Sequence, residues 1–479
     1  MSIKKNLIYN VTYQMLILIL PLITTPYISR VIGVDGVGVQ SYTYSIVNYF
    51  VLFAMLGINN HGNRSVAMVR DNKENLSRVF LSIYSVQVII SLIMIIFYSI
   101  YVYFIVDKYK IIFLIQLIYI ISALFDINWF FFGIEEFKLT VIRNTIIKLL
   151  SVLSIFIFVK DKNDLYIYSL ILALGVLIGQ LILWKFIGRY IKLIKIDINN
   201  ILEQIKPILI LFIPIVAISI YKIMDKIMIG SMNTITQVGF YENSEKIINI
   251  PIGIIVALGT VMLPKISNLE AKGKKNQSKK YISISMDFVM FMAFGSMFGL
   301  IGVSPVLIPI FLGKEFIQCI DIVSILSVTI LFIAWANVIR MQFLIPKKKD
   351  KIYIVSTILG AIVNLVINLL LIRKYGAIGA TIGTVLAEAT VAIYQTIKVK
   401  EELDINTYIK RNMFFVIPGI FMCLIIRYIG LVLNKTILTG IIQIIVGGSI
   451  YCLIGIIYMI RNKNEVVNQI LKRYNFMKK

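Results

Sequence analysis

The chain is predicted to be an all-α integral membrane protein with fourteen transmembrane helices, arranged as two pseudo-symmetric six-helix lobes plus two C-terminal helices. Three observations predict this. Fourteen apolar stretches, each roughly 18 to 25 residues long and bounded by short polar segments, run the length of the 479 residues, and about 20 such residues span a bilayer. The composition is 59% hydrophobic and only 15% charged, with a mean hydropathy of +0.89, which leaves no polar face to solvate a water-soluble surface. A weak internal repeat relates the two halves.

The spans fall near 7–29, 41–61, 79–104, 111–133, 141–159, 165–184, 207–230, 247–263, 283–303, 318–339, 352–372, 376–396, 412–432 and 437–460. The first has a short basic lead, Lys4 and Lys5, but exceeds a signal-peptide core and has no small-residue cleavage site after it, so it reads as a retained helix. Of the 48 Lys and Arg, 34 fall at the termini or in and beside even-numbered loops, 11 in and beside odd-numbered loops (Arg143 and Arg427, near span ends, counted with their loops), and three (Lys148, Lys222 and Lys226) deeper inside spans. Basic residues are retained on the cytoplasmic side, so both termini are expected there.

The same bias accounts for the net charge of +24 without nucleic acid. The runs Lys272, Lys274, Lys275, Lys279, Lys280 and Lys347, Lys348, Lys349, Lys351 sit in expected cytoplasmic loops, where they serve as topology signals and attract anionic membrane lipids. The segment from Lys185 to Lys206 mixes cations with Ile and Leu, as a helix lying on the inner membrane surface would. Cys319, Cys423 and Cys452 form no CxxC pair, which suggests neither a disulfide framework nor a metal site. No GxxxxGK[ST] motif is present, and Gly33, Gly36 and Gly38 follow a membrane span rather than a strand, so neither ATP nor a dinucleotide is an expected cofactor. The longest outer loop, about 231–246, has some sixteen residues, too few for a catalytic module. An enzyme is not expected.

The repeat pairs Val37-Gly38-Val39-Gln40, with Leu56-Gly57 farther on, against Val238-Gly239-Phe240-Tyr241, with Leu258-Gly259 farther on, at an offset of 201 residues. A similar turn, Tyr375-Gly376-Ala377-Ile378-Gly379-Ala380, opens span twelve. Both repeats follow an odd-numbered span, so the halves share one orientation and an axis along the membrane normal, an arrangement suited to alternating access. The expected divisions are an N-terminal lobe of 1–190, a C-terminal lobe of 191–400, and additional helices and a cytoplasmic tail in 401–479.

Ionisable residues in hydrocarbon cost at least about 2.5 to 3.5 kcal/mol on insertion scales, so each demands a cavity, a partner or a function. Span seven holds the densest set. Lys222 and Lys226 share a face at spacing i, i+4, with Asp225 close to it and Tyr221 adjacent. A self-neutralising cluster between helices would account for these residues; so would a cationic cavity wall whose carboxylate takes a proton or a sodium ion. Arg30, Arg64 and Arg340 lie at span ends, where an Arg also snorkels to a headgroup. Asp126 and Glu388 lie deeper with no cation nearby in sequence, and Glu388 joins Asp225 as a coupling candidate. Asn364 and Asn368 place two amides on one face of span eleven and suit interhelical bonding, while His61, at a membrane edge, suits a cap. Pro207, Pro214, Pro251 and Pro305 offer bends.

Trp129-Phe130-Phe131-Phe132-Gly133-Ile134-Glu135-Glu136-Phe137-Lys138, Met228-Ile229-Gly230, Val261-Met262-Leu263-Pro264, Ile345-Pro346 through Lys351, and Gly360-Ala361-Ile362-Val363-Asn364, in this order and with the repeat motifs between them, resemble the Wzx-type polysaccharide flippases. These belong to the superfamily that also holds the MATE drug exporters and the lipid II flippase MurJ. The resemblance covers nearly the whole chain. It implies translocation of an undecaprenyl-diphosphate-linked oligosaccharide from the inner to the outer leaflet for O-antigen, capsule or another surface polysaccharide. Sodium or proton entry could drive it, and a polysaccharide polymerase could work beside it. A diphosphate cargo needs Arg or Lys, which makes Arg30, Arg64, Lys222, Lys226 and Arg340 the substrate-binding candidates. A MATE-type antiporter is the nearest rival, but usually has 12 spans. The polymerase itself would be expected to carry a long outer loop.

Overall fold

The computed structural model describes the backbone of residues 3–461 and the side chains of 19–461 apart from 214, 217 and 221. The side chains of Lys4, Lys5, Pro214 and Tyr221 and the tail from residue 462 lie outside the described residues. The described residues form helices and no strand. Twelve helical stretches among the described residues are long and apolar enough to cross a membrane. In a bilayer only a helix or a closed barrel satisfies its own backbone, which is why an apolar sequence with so few turn residues takes this form. The chain divides into two compact units, the first ending at Ser231 and the second beginning at Met232.

The first unit begins with α1 (Ile3–Met55), which runs through the residues expected to form the first outer loop. Its helical geometry fails at a single residue, Gly33, whose φ of 70° is accessible mainly to glycine. The expected loop 30–40 is therefore helical on both sides of one break. After α2 (Ile58–Val69) comes α3 (Lys73–Phe104), capped by Asn72, whose side chain accepts from the backbone N–H groups of Glu74 and Asn75. The fourth expected span is two pieces, α4 (Lys110–Leu124) and α5 (Asn128–Gly133), parted at Asp126. Then follow α6 (Phe137–Phe158), α7 (Leu165–Ile187) and α8 (Ile198–Met232).

The helix expected over Lys185–Lys206 is interrupted: its first residues close α7 and its last open α8. Between them residues 191–197 carry no secondary structure, mix Ile and Leu with Lys and Asp, and are held by the Lys192 N–H donating to Ser77 Oγ at 2.9 Å. Just before them, Tyr190 packs on Phe130 and Phe131.

The core of this unit forms around Trp129. Its indole N–H donates to Gln87 Oε1 at 3.0 Å, while the Gln87 amide donates to the carbonyls of Ala123 and Asp126. Gly62 lies so close to the indole that a Cβ there would fall 2.4 Å from it. The apolar Trp-Phe-Phe-Phe-Gly run is thus chiefly a packing element.

The second unit comprises α9 (Ile235–Ala271), α10 (Lys275–Phe311), α11 (Cys319–Leu326), α12 (Thr329–Ile339), α13 (Asp350–Tyr375), α14 (Ala377–Val399), α15 (Ile405–Asn412), α16 (Val416–Val432) and α17 (Ile437–Arg461). The expected outer loop 231–246 shrinks to a turn, because Thr234 caps α9 at once by accepting from the Gln237 N–H. Helices α9 and α10 continue through their prolines. Lys272–Lys280, expected as loop, is mostly helix around a turn at Gly273. Small residues govern the packing: Gly360 and Gly383 bring α13 and α14 together, and Gly302 and Gly447 meet Ile426 where α16 joins α10 and α17. Tyr451 Oη donates to the Phe291 carbonyl at 2.8 Å, which anchors α17 to α10.

Trp129→Ala removes both the indole hydrogen bond and the largest buried side chain of this core, and is expected to cost about 3–5 kcal/mol, read as a lowered unfolding temperature in detergent. Trp129→Phe should retain most of that stability; equal loss from both would contradict the packing role.

Candidate functional site

Helix α8 carries the charged cluster, and its register against α1 and α2 is set by a ladder of contacts running antiparallel. His61 Nε2 lies 2.8 Å from Gln204 Oε1, the Gly57 backbone meets the Ile208 carbonyl, Phe53 packs on Phe212 at 5.2 Å, and Tyr49 Oη donates to the Ser219 carbonyl at 3.2 Å. At the far end Gly230 accommodates the Tyr42 ring, which a Cβ would approach to 2.2 Å. His61 therefore serves this seam rather than a helix cap. The repeat glycine Gly57 marks a close approach here, and its counterpart Gly259 marks another against Asn337 in the second unit.

The seam sorts the three charges of α8 by exposure. Asp225 is 2% exposed, close to the Tyr49 hydroxyl, while Lys222 is exposed and Lys226 half-buried. Arg30 and Arg64 are both exposed. In the second unit Arg340 is half-buried, its guanidinium 5.3 Å from the Tyr353 ring centroid. It begins a turn of π-helix, Arg340–Leu344, a geometry common at functional positions. Glu388 is half-buried on α14, one turn beyond Thr384, whose hydroxyl is 3.0 Å from Tyr241 Oη. Asn364 and Asn368 bond to each other within α13, at 3.1 Å, with Asn368 against Gly383 of α14.

Two buried ionic groups lie beyond these candidates. Arg143, 6% exposed on α6, donates through NH2 to Asn128 Oδ1 and through NH1 to Gln180 Oε1 at 3.4 Å; Asn128 in turn donates to Asp126 Oδ1 at 2.7 Å and to Gln180 Oε1 at 3.0 Å. Asp126 thus finds its partners on α5 and α6. Asp287, 4% exposed on α10, pairs with Arg411 at 2.6 Å, and Arg411 also donates to Ser283 Oγ at 2.8 Å. The sequence signal for both is position: Arg143 and Asp287 fall inside expected spans, although Arg143 is close enough to an edge to count with loop charges. Outside the spans, Lys347 and Lys349 both pair with Glu402, and Lys347 lies over the Phe343 ring. The two ammonium groups hold the Glu402 carboxyl below its usual range. Among the described residues no group of His, Cys, Asp and Glu could hold a metal, and the three cysteines are free.

The polysaccharide biosynthesis protein family matches residues 3–270. A putative O-antigen transporter of Shigella dysenteriae is 24% identical over 403 residues, 83% of this chain and 100% of that protein. A probable low-salt glycan biosynthesis flippase of Haloferax volcanii is 25% identical over 175 residues, covering 35% of this chain and 36% of that one. Among solved structures, an inward closed conformation of the lipid II flippase MurJ superposes with a TM-score of 0.79 at 17% identity, over 95% of this chain and 99% of that one. An inward-facing MATE family multidrug transporter reaches 0.57 at 12% identity, over 82% and 99%. These likenesses establish the fold.

Because the folded pKa of Glu402 is depressed, its pairing contributes stability that is present above the unfolded carboxylate pKa and lost as pH falls through the lower folded value. The unfolding temperature of the wild type should therefore fall more steeply than that of Glu402→Gln below about pH 4.3; parallel curves would show the pair to be energetically silent. Arg143→Met leaves Asn128 Oδ1 and Gln180 Oε1 without their guanidinium donor and removes the cation nearest the Asp126 charge, and should destabilise by about 1–3 kcal/mol, while adding Asp126→Asn should recover part of that loss in a double-mutant cycle.

Proposed function

The chain belongs to the polysaccharide biosynthesis protein family, and we propose that it works as a Wzx-type flippase, carrying undecaprenyl-diphosphate-linked oligosaccharide repeat units from the inner to the outer leaflet for cell-surface polysaccharide synthesis. It is a multi-pass membrane protein. Support comes from the near full-length relation to a protein named an O-antigen transporter, with a fold shared with a lipid flippase. The observation that carries the reading is the cluster on α8, where a buried carboxylate sits between two lysines on a helix too polar there for a purely structural span.

In this reading the twelve apolar stretches become fourteen crossings, since Ile19–Val69 divides at Gly33 and α8, 35 residues long, adds one more. Both termini face the cytoplasm, as the Lys and Arg bias requires. The lobes are 1–190 and 191–400, with 401–479 as additional helices and tail. Helix α8 opens the second half in sequence yet groups with the first compact unit. Lys222, Lys226, Arg30, Arg64 and Arg340 offset the cargo diphosphate, whose charge a cavity away from bulk water would otherwise leave uncompensated. The prenyl tail stays in lipid, and two states open alternately to each side. Asp225 and Glu388 couple the cycle to entry of a proton or a sodium ion. The protein does no covalent chemistry in this cycle, and a polysaccharide polymerase would act on what it delivers.

In proteoliposomes, a fluorescent undecaprenyl-diphosphate oligosaccharide should change leaflets, and Lys222→Ala/Lys226→Ala should slow it at least about tenfold, since charge-assisted bonds contribute about 1.5–3 kcal/mol each. No movement of such lipids, together with export of small organic cations, would replace the flippase with a MATE-type antiporter. For coupling, Asp225→Asn should abolish dependence of the rate on an imposed proton or sodium gradient. Unchanged rate and ion dependence would remove Asp225 from that role.

A further inference from the structure

A cavity of about 380 Å³ occupies the groove between α6 and α7 in the first unit, away from the α8 seam. Its polar end is formed by Lys138, which is exposed, Arg143, which is buried, and Glu136. Phe186 closes it, with the Arg189 guanidinium 5.3 Å from the ring centroid. Glu136 is the single carboxylate in the lining and is engaged by the Tyr190 hydroxyl, which leaves Lys138 as the exposed charge at this end, with the Arg143 guanidinium behind it. From there the groove turns apolar. Ile142 and Ile146 are 41% and 51% exposed, and the same face of α6 continues through Leu149, Leu153 and Ile157, all exposed. The site therefore has a cationic end and an apolar trough that opens sideways, and the bonds of Arg143 to Asn128 and Gln180 hold its guanidinium in place before any ligand arrives.

We propose that this groove is a binding site for a resident anionic glycerophospholipid, its phosphate between Lys138 and Arg143 and an acyl chain along Ile142 and Ile146. The dimensions and charge exclude a soluble anion as sole occupant, since a free phosphate would leave the apolar trough facing lipid unused. Basic pockets between helices at the cytoplasmic side suit acidic headgroups, and the orientation that the Lys and Arg bias implies puts this end in that leaflet. A lipid seated here would clamp α6 to α7 beside the polar cluster of Asp126, Asn128, Arg143 and Gln180, so the stability of the first unit would depend on acidic lipid.

Native mass spectrometry of the full chain, titrated with phosphatidylglycerol or phosphatidylcholine, tests the assignment. The wild type should retain phosphatidylglycerol preferentially. Lys138→Ala, at an exposed position, should weaken that retention about fivefold, the effect expected of one basic residue near an anionic headgroup. Ile146→Trp should fill the trough and abolish the preference, while Leu370→Trp, on an exposed face of α13, should leave it unchanged. Equal retention of the two lipids, or a preference that survives both Lys138→Ala and Ile146→Trp, would overturn the proposal. So would displacement of the bound phosphatidylglycerol by stoichiometric undecaprenyl phosphate, which would make the groove a cargo site.

Discussion

A bilayer interior supplies no hydrogen-bond partner, so each polar group that the sequence carries into a span must be met by another part of the protein or by a functional cavity. The organisation of the first unit follows from that constraint. Asp126 breaks the fourth span into α4 and α5, and the break is tolerable because Asn128, Arg143 and Gln180 converge on it from α5, α6 and α7. Gln87 closes the other side by satisfying two carbonyls at the break and the indole of Trp129. The aromatic core and the polar cluster are therefore one construction, with the second permitting the geometry of the first.

The second unit answers the same constraint by different means. A buried carboxylate, Asp287, is paired with Arg411 and ties α10 to α15, and glycines bring the helices of this unit together. Close backbone approach maximises dispersion contacts where lipid offers no hydrophobic drive between helices. Two departures from regular helix, the parting of α11 from α12 and the π-turn at Arg340, fall within and directly after the expected span 318–339. The candidate cation Arg340 opens the second of them.

The α8 cluster differs from the Asp287 and Arg143 sites in its density: a carboxylate that is 2% exposed lies within three residues of two lysines on the same helix. Arg143 and Asp287 sit in bonded networks, and Glu402 joins two lysines outside the spans. Asp225 is as buried as these, but the flanking lysines point to more open surroundings. The lipid groove beside α6 adds a separate electrostatic feature: a cation whose structural bonds also hold it where it can meet a headgroup.

From the sequence by itself follow the membrane class, the helical content and the family, because long apolar runs and ordered short motifs are local properties that no packing arrangement can undo. The importance of Asp126, the pairing of the repeat glycines with close contacts, and the density of charge in α8 were legible in the same way. Tertiary structure alone decided which charges are consumed by partners. Residues 87, 128, 143 and 180 are far apart in the chain and meet only after the helices pack. It also decided that residues 30–40 form helix around one glycine of positive φ and that Ile191–Asp197 joins neither α7 nor α8. Both outcomes depend on what the neighbouring helices offer to the backbone and to Tyr190, and that information is not carried by any window of sequence.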